Sequence, residues 1–177
     1  MNLGLALKKI ERTDEAKAAF VKALELNPAS FSATKEIAES LAREGNFEEA
    51  KKYFEKAVEL SPDDPDAFYN LGVSLINTGK SEAALDAFLR CTQLKPDYAE
   101  AYFQVGTIYI GQNKVKEALE NLEKFLELAP GHEKAAVARQ LVEFLKKSAE
   151  EGMFLKEDRP RFRFRTSSEG PAGAGGA

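Results

Sequence analysis

The chain has 177 residues, and its 25 Lys and Arg against 29 Asp and Glu give a formal net charge of −4 at pH 7. This mild acidity argues against a protein whose main partner is a nucleic acid. The single cysteine excludes an intramolecular disulfide and a cysteine-rich metal site, and the single histidine leaves no second histidine for a metal or catalytic pair.

The sequence contains no apolar run near the 18 residues that would predict a membrane-spanning helix. Its N-terminus does not resemble a signal peptide, and the cytoplasm is therefore our default expectation for its location. We expect no cofactor and no catalysis, because phosphate-binding glycine loops and nucleophile elbows are absent from the sequence. Adjacent carboxylates such as Glu48 and Glu49 are typical of an exposed helix surface.

A repeat with a period of 34 residues runs through most of the chain. Each unit carries apolar residues at helical spacing in two runs, which predicts a pair of helices joined by a turn. The columns that recur are Pro28, Pro62, Pro96 and Pro130; Leu26, Leu60, Leu94 and Leu128; Ala16, Ala50, Ala84 and Ala118; Gly4, Ala38, Gly72 and Gly106; Leu3, Ile37, Leu71 and Val105; and Phe20, Phe54, Phe88 and Leu122.

The first unit, residues 1–30, lacks the beginning of its first helix, because Met1 aligns with Lys35 and Tyr69 of the later units. We interpret the chain as part of a longer array or as one that starts at an internal methionine. The first unit of a stacked array normally needs a polar cap, so its apolar residues should be uncovered. The residues concerned are Leu3, Leu5 and Leu7.

Three complete units follow, at residues 31–64, 65–98 and 99–132. In the second of them Asp64 is the predicted N-cap of the first helix, and Gly79 is predicted in the left-handed conformation that ends it. The small residue of each first helix and the alanine of each second helix are expected where the two helices approach closely.

Cys91 stands in a column that contains alanine in the preceding units, so we expect a buried core residue and not a reactive thiol. His132 follows the last of the recurring prolines, and we expect it in a turn or at a helix cap. Neither residue is predicted to carry chemistry.

A further helical pattern covers Gly131–Ser148, and we assign 133–149 to a C-terminal capping helix because no second helix follows it. Its packed face is predicted to carry Val137, Leu141, Phe144 and Leu145. Its water-facing residues are predicted to be Lys134, Arg139, Gln140, Glu143, Lys146 and Lys147. Residues 150–177, which are rich in Gly and Ala at their end, are predicted to be a flexible tail.

The period and the columns resemble the tetratricopeptide repeat family, most clearly at Phe68, Leu71, Gly72, Ala84 and Phe88. The resemblance covers roughly residues 1–130 and implies an all-α fold, a right-handed superhelical solenoid of antiparallel helix pairs. In that family the first helices of the pairs line a concave groove that binds a peptide or protein segment.

The resemblance therefore implies that this chain is a non-catalytic scaffold for protein–protein interaction. The groove residues are expected on the sides of the first helices that point away from their paired helices. They are Lys35, Glu36, Glu39, Tyr69, Asn70, Val73, Asn77, Phe103, Gln104 and Thr107, and Asn2, Leu5 and Lys9 would extend the row. The amides can bond a peptide backbone, and the aromatic rings offer apolar area.

The family's carboxylate clamp, which holds the C-terminus of heat-shock chaperones, is not expected here. Its positions correspond to Lys35, Glu39, Asn70, Glu100 and Gln104, of which only Lys35 and Asn70 match. Acidic residues at clamp positions would repel a bound carboxylate.

Three other interpretations remain open. The chain could be the repeat segment of a larger enzyme, such as a transferase, whose catalytic domain lies outside this sequence. The alternating basic and aromatic stretch Arg159–Arg165 is a candidate for binding nucleic acid or for adding a strand to a partner. The uncapped first unit could also support self-association.

Overall fold

The computed structural model describes residues 2–151, which form nine α-helices. Their bounds are α1 Asn2–Lys9, α2 Thr13–Leu26, α3 Phe31–Arg43, α4 Phe47–Leu60, α5 Pro65–Asn77, α6 Ser81–Leu94, α7 Ala99–Gly111, α8 Val115–Leu128 and α9 Ala135–Glu150. Helices α1 to α8 pack in sequential pairs, and each second helix also packs against the first helix of the next pair. The prediction of an all-α array of helix pairs is confirmed.

The first helices α3 and α5 begin at side-chain caps. The Ser30 hydroxyl accepts a hydrogen bond from the Ala33 N–H at 3.3 Å, and Asp64 Oδ1 accepts one from the Ala67 N–H at 2.6 Å. Pro65 follows Asp64 at the first helical position, where its missing N–H leaves no intrahelical bond unmade. The predicted cap at Asp64 is confirmed.

The turn inside each helix pair places one residue in the left-handed region at the same repeat position. Gly45 and Gly79 have φ of 81° and 75°, whereas Glu11 and Asn113 adopt φ of 61° and 59°. Glycine and asparagine tolerate this conformation, but glutamate carries a Cβ that makes it unfavourable. The predicted conformation of Gly79 is confirmed.

Inside each pair the two helices are held at close range by a small residue on one and a large apolar residue on the other. A Cβ added to Gly72 would lie 2.6 Å from Phe88 Cε1, and one added to Gly106 would lie 2.8 Å from Leu122 Cγ. Phe88 and Leu122 are fully buried. This column of the repeat is therefore packing and carries no chemistry.

The predicted packed face of the last helix is wrong in part. The helix begins at Ala135, after a turn, and packs through Ala138, Leu145 and Ser148. Val137 and Phe144 remain 49% and 51% exposed. The small residues Ala138 and Ser148 lie in the contact, where Val137 and Phe144 were expected to contribute, while Leu141 and Leu145 pack as predicted.

The first pair is uncovered at its outer side, as predicted. Leu3 is 67% exposed, although Ile37, Leu71 and Val105 at the same repeat position are buried. Leu5 is exposed as well, but the prediction is wrong for Leu7, which is partly buried and packs against the core. The predicted tail beyond residue 151, including Arg159–Arg165, lies outside the described residues.

Candidate functional site

The ten residues predicted to line the groove lie on α3, α5 and α7 at matching repeat positions, and we call them the first-helix row. All ten are partly or fully exposed. They are Lys35, Glu36, Glu39, Tyr69, Asn70, Val73, Asn77, Phe103, Gln104 and Thr107. The row divides into a charged part on α3 and a neutral part on α5 and α7.

The charged part is occupied by ion pairs between neighbouring repeats. Lys35 Nζ lies 3.0 Å from both carboxylate oxygens of Asp64 and 3.8 Å from Asp66 Oδ2. It also lies 5.6 Å from the centre of the Phe31 ring. This lysine therefore joins α3 to the start of α5 and is not free to meet a ligand carboxylate.

A second cation is shared in the same way one repeat earlier. Lys8 Nζ lies 2.6 Å from Glu36 Oε2 and 3.0 Å from Glu39 Oε2. Burial would lower the pKa of Lys8, but the hydrogen bonds and charges of the two glutamates outweigh it and raise the pKa. Lys8 was not among the predicted residues, although it follows Leu5 along the same face of α1.

The two aromatic residues of the row are partly enclosed. The Tyr69 ring stacks on Tyr98 with centroids 5.0 Å apart and tilts against Phe88 at 5.5 Å. The Phe103 ring packs on Phe125 at 5.2 Å, and Lys134 Nζ lies 5.5 Å from its centre. Burial raises the pKa of both tyrosine hydroxyls. The Tyr69–Tyr98 stack joins α5 to the start of α7, whereas the Phe103–Phe125 contact lies within the α7–α8 pair. Both row residues remain partly exposed.

The polar side chains of the neutral part bond mainly to their own helices. Asn77 Nδ2 donates to the Val73 carbonyl at 2.9 Å, and Thr107 Oγ1 donates to the Gln104 carbonyl at 2.8 Å. The side-chain amides of Asn70 and Gln104 lie at the partly exposed surface between them. Because an amide both donates and accepts, these two can bond a peptide backbone.

A cleft of about 410 Å³ opens beside this neutral part, between the end of α5, the start of α6 and α7. Gln104 and Thr107 belong to the row and also line the cleft. The remaining lining residues were not predicted, and they are Ile76, Ser81, Glu82, Ile108, Gly111 and Gln112. The sequence contains one signal for Ile76, which is large and apolar at the repeat position that Lys8 and Ala42 fill in the first two units.

The remaining residues considered in the sequence take structural places. Cys91 is buried, as predicted, and burial raises the pKa of its thiol to about 12. His132 lies in the turn before α9, where Nδ1 accepts a hydrogen bond from the Lys134 N–H at 3.1 Å. Its Nε2 lies 3.7 Å from Glu100 Oε1.

Within residues 2–151, no three His, Cys, Asp or Glu side chains are arranged to hold a metal ion. The helices of this same range are too short or too polar to cross a membrane.

Known proteins resemble the chain in sequence and in structure. Family models described as tetratricopeptide repeat match residues 1–65, 35–99 and 71–143. No curated protein sequence matches it. Among solved structures, YrrB, described as a TPR protein with an unusual peptide-binding site, superposes with a TM-score of 0.75 and 27% identity over 86% of this chain and 77% of that one.

Two further structures are similar at lower identity and therefore support the fold alone. MamA has a TM-score of 0.71 and 24% identity over 86% of this chain and 96% of its own. The first TPR of Spaghetti (RPAP3), bound to an HSP90 peptide, has a TM-score of 0.61 and 21% identity over 68% of this chain and 93% of that one. With its family models covering residues 1–143, the chain belongs to the tetratricopeptide repeat family.

Proposed function

We propose that this protein is a non-catalytic interaction scaffold that binds a peptide or an extended protein segment along the first-helix row. One observation carries the proposal: the neutral part of the row places partly exposed amide side chains next to partly exposed apolar ones on adjacent first helices. Asn70, Val73 and Gln104 lie on adjacent first helices at this surface. The described peptide-binding site of YrrB supports the same use of a similar array.

Ligand contacts are expected on α5 and α7 more than on α3. The charged residues Lys35, Glu36 and Glu39 already hold neighbouring repeats together. A ligand that used them would have to break partly buried ion pairs. The opposite charge of each pair would then be left without a partner, which is unfavourable. The neutral part requires no such exchange.

The same contacts argue against a carboxylate clamp. Lys35 is the only cation of the row, and Asp64 and Asp66 surround it. The carboxylate of Glu100 is partly exposed at another clamp position. We therefore expect partners that present an internal segment of chain, not a free C-terminal carboxylate.

The test is selection of short random peptides on the immobilised protein, followed by measurement of their dissociation constants. The double variant Asn70→Ala, Val73→Arg should weaken binding at least about tenfold, because it removes an amide and adds a charge in the row. Its matched control is Gln93→Ala, Val21→Arg, which changes exposed residues of the second helices α6 and α2.

Equal binding by the row variant and the wild type would refute the proposal, provided that both unfold at similar temperatures. Equal weakening by the control variant would also refute it, because the peptides would then bind without regard to the row.

Self-association through the first repeat is a second proposal, supported by the exposed side chains of Leu3 and Leu5. The mass in solution should rise with concentration and return to that of the monomer in the variant Leu3→Glu. A monomer mass at every concentration of the wild-type protein would refute it. No feature of the described residues favours the alternative of an enzyme fragment.

A further inference from the structure

Three columns of the 34-residue repeat lie along the first-helix row, and all three continue onto α9. The residues that stand in them on α5, α7 and α9 are Tyr69, Phe103 and Val137; Val73, Thr107 and Leu141; and Ile76, Ile110 and Phe144. All nine are partly or fully exposed, and apart from Thr107 they are aliphatic or aromatic. We call these nine residues the apolar surface.

The apolar surface begins only at α5. In the first two units the same columns carry the charged residues Lys8, Lys35 and Glu39 beside Leu5 and Ala42. The ion pair between Lys8 and Glu39 shows that the columns face one another across neighbouring first helices. The row therefore changes from charged on α3 to apolar on α9.

The apolar residues of α9 do not lie on the side where a further paired helix would pack. In α7 that side carries Val105, which is fully buried, and Gly106, where an added Cβ would lie 2.8 Å from Leu122 Cγ of the paired helix. The same repeat positions on α9 carry Arg139 and Gln140, and both are exposed. The side of α9 that lacks a paired helix is thus polar, and its large apolar residues are turned toward the row.

These columns are open to solvent inside the array as well as at its end. Ile76 is 37% exposed although α7 follows it, and Val137 and Phe144 are 49% and 51% exposed on α9. Contiguous exposed apolar residues on a folded protein typically mark a surface that binds another molecule. The surface favours a partner that presents large apolar side chains.

A lysine without a carboxylate partner lies beside the apolar surface. Lys134 Nζ is 5.5 Å from the centre of the Phe103 ring, and no carboxylate of residues 2–151 lies within 4.0 Å of it. Glu100 of α7 lies against His132 instead, with 3.7 Å between Oε1 and Nε2. In contrast to Lys35, Lys134 can therefore pair with an acidic side chain of a ligand.

The dimensions of the surface suit an extended segment. Neighbouring packed helices lie about 8–10 Å apart, so the distance from α5 to α9 is roughly 16–20 Å, which about six extended residues can span. Alternate side chains of such a segment point to the same face, and three of them can therefore meet the apolar surface. Its backbone would pass the amides of Asn70 and Gln104, which can both donate and accept.

We infer that the row extends onto α9 and selects an extended segment with large apolar side chains at alternate positions and an acidic residue at the end that reaches Lys134. The inference rests on the proposed function and states which partner chemistry that surface selects. It adds Lys134, Val137, Leu141 and Phe144 to the binding residues.

The first experiment uses the peptides selected on the wild-type protein and removes the apolar side chains of α9. The variant Val137→Ser, Phe144→Ser should weaken their binding at least about tenfold. The matched control Val21→Ser, Leu26→Ser removes exposed apolar side chains from α2 and should bind within roughly twofold of the wild type. Thermal unfolding checks both variants, and Phe144→Ser alone should still weaken binding at least about threefold if the double variant does not fold.

The second experiment tests the charge from both partners. Lys134→Gln should weaken the binding of peptides that carry the acid by roughly two- to fivefold at low ionic strength, and by less at high salt. Changing the acid of the peptide to its amide should have the same effect on the wild type and little further effect on Lys134→Gln. The matched control Lys116→Gln, which changes an exposed lysine of α8, should leave the affinity unchanged.

The outcomes separate this inference from the proposed function. Peptides that respond to Asn70→Ala, Val73→Arg but bind the α9 variants as tightly as the wild type would overturn the extension onto α9 and leave the proposed function intact. Peptides that respond to none of these variants would overturn both. Selected peptides without alternate apolar residues would also contradict the inference.

A second copy of the chain is the competing occupant of the α9 residues. A mass that rises with concentration in the wild type and stays that of the monomer in Val137→Ser, Phe144→Ser, with peptide binding unchanged, would assign them to self-association and overturn the inference.

Discussion

Lys35 Nζ and the carboxylate of Asp64 form a bidentate contact, with 3.0 Å from the nitrogen to each oxygen. The same carboxylate accepts the Ala67 N–H at 2.6 Å and so caps α5. One side chain therefore fixes the start of a first helix and joins it to the preceding first helix. Lys35, which the sequence predicted to bind a ligand, thus helps to align two repeats.

The two members of this pair should contribute unequally to the stability of the protein. Asp64→Ala removes both the helix cap and the ion pair and should lower the free energy of unfolding by about 1–2 kcal/mol. Lys35→Met removes only a partly exposed pair and should cost less, about 0–1 kcal/mol. Urea unfolding followed by circular dichroism measures both, and a larger loss for Lys35→Met would show that the cap contributes little.

Gly72 and Gly111 should respond in opposite ways to replacement by alanine. At Gly72 the new Cβ would lie 2.6 Å from the buried Phe88 ring, so Gly72→Ala should cost about 1–3 kcal/mol. At Gly111 the Cβ enters open space, so Gly111→Ala should stabilise the protein by up to about 1 kcal/mol. Unfolding of the two variants under the same conditions compares them directly, and destabilisation by Gly111→Ala would contradict the open space at this position.

Replacing Glu11 with glycine, which two later repeats carry at this position, should stabilise the protein. Its φ of 61° places a Cβ in the left-handed region, where Gly45 and Gly79 have none. Glu11→Gly should therefore raise the stability of the first pair by about 0.5–1 kcal/mol, after allowance for the greater entropy of glycine in the unfolded chain. Hydrogen exchange of α1 and α2 measures this local change, and unchanged or faster exchange there would contradict it.

Cys91 should be unreactive in the folded protein and should destabilise it at alkaline pH. Burial raises its pKa to about 12 from the ordinary value of 9.0, so the folded state favours the neutral thiol. The stabilisation is complete below pH 9 and is lost as the pH rises toward 12, because the unfolded chain ionises first. Cys91→Ala should remove this part of the pH dependence, and rapid alkylation of the native thiol at pH 8 would contradict its burial.

The architecture was largely predictable because the 34-residue columns record contacts that each unit repeats. Asp64, Gly79 and Phe88 have local or within-pair roles, and those roles follow from their positions in the unit. The exposure of Val137 and Phe144 was not predictable from the helical periodicity of α9 alone, since its packed side also uses the small residues Ala138 and Ser148.

The candidate site was predictable only as a surface. Matching repeat positions placed Asn70 and Gln104 on neighbouring first helices, but periodicity carries no information on which charges neutralise each other. Asp64 and Asp66 meet Lys35 only because the fold places the start of α5 beside α3. The cleft lined by Gln104 and Gln112 lies between three helices of two repeats, so no single repeat contains its pattern.

The contacts between repeats change character along the array, from the shared lysines Lys8 and Lys35 to the stacked rings of Tyr69 and Tyr98. Salt screens partly exposed ion pairs but has little effect on aromatic packing. In a linear array the coupling between neighbours determines whether units unfold together. These ion pairs only supplement an apolar core that runs from α2 to α7. Rising ionic strength should therefore lower the stability of the first two repeats by a small amount and change that of the third and fourth repeats less.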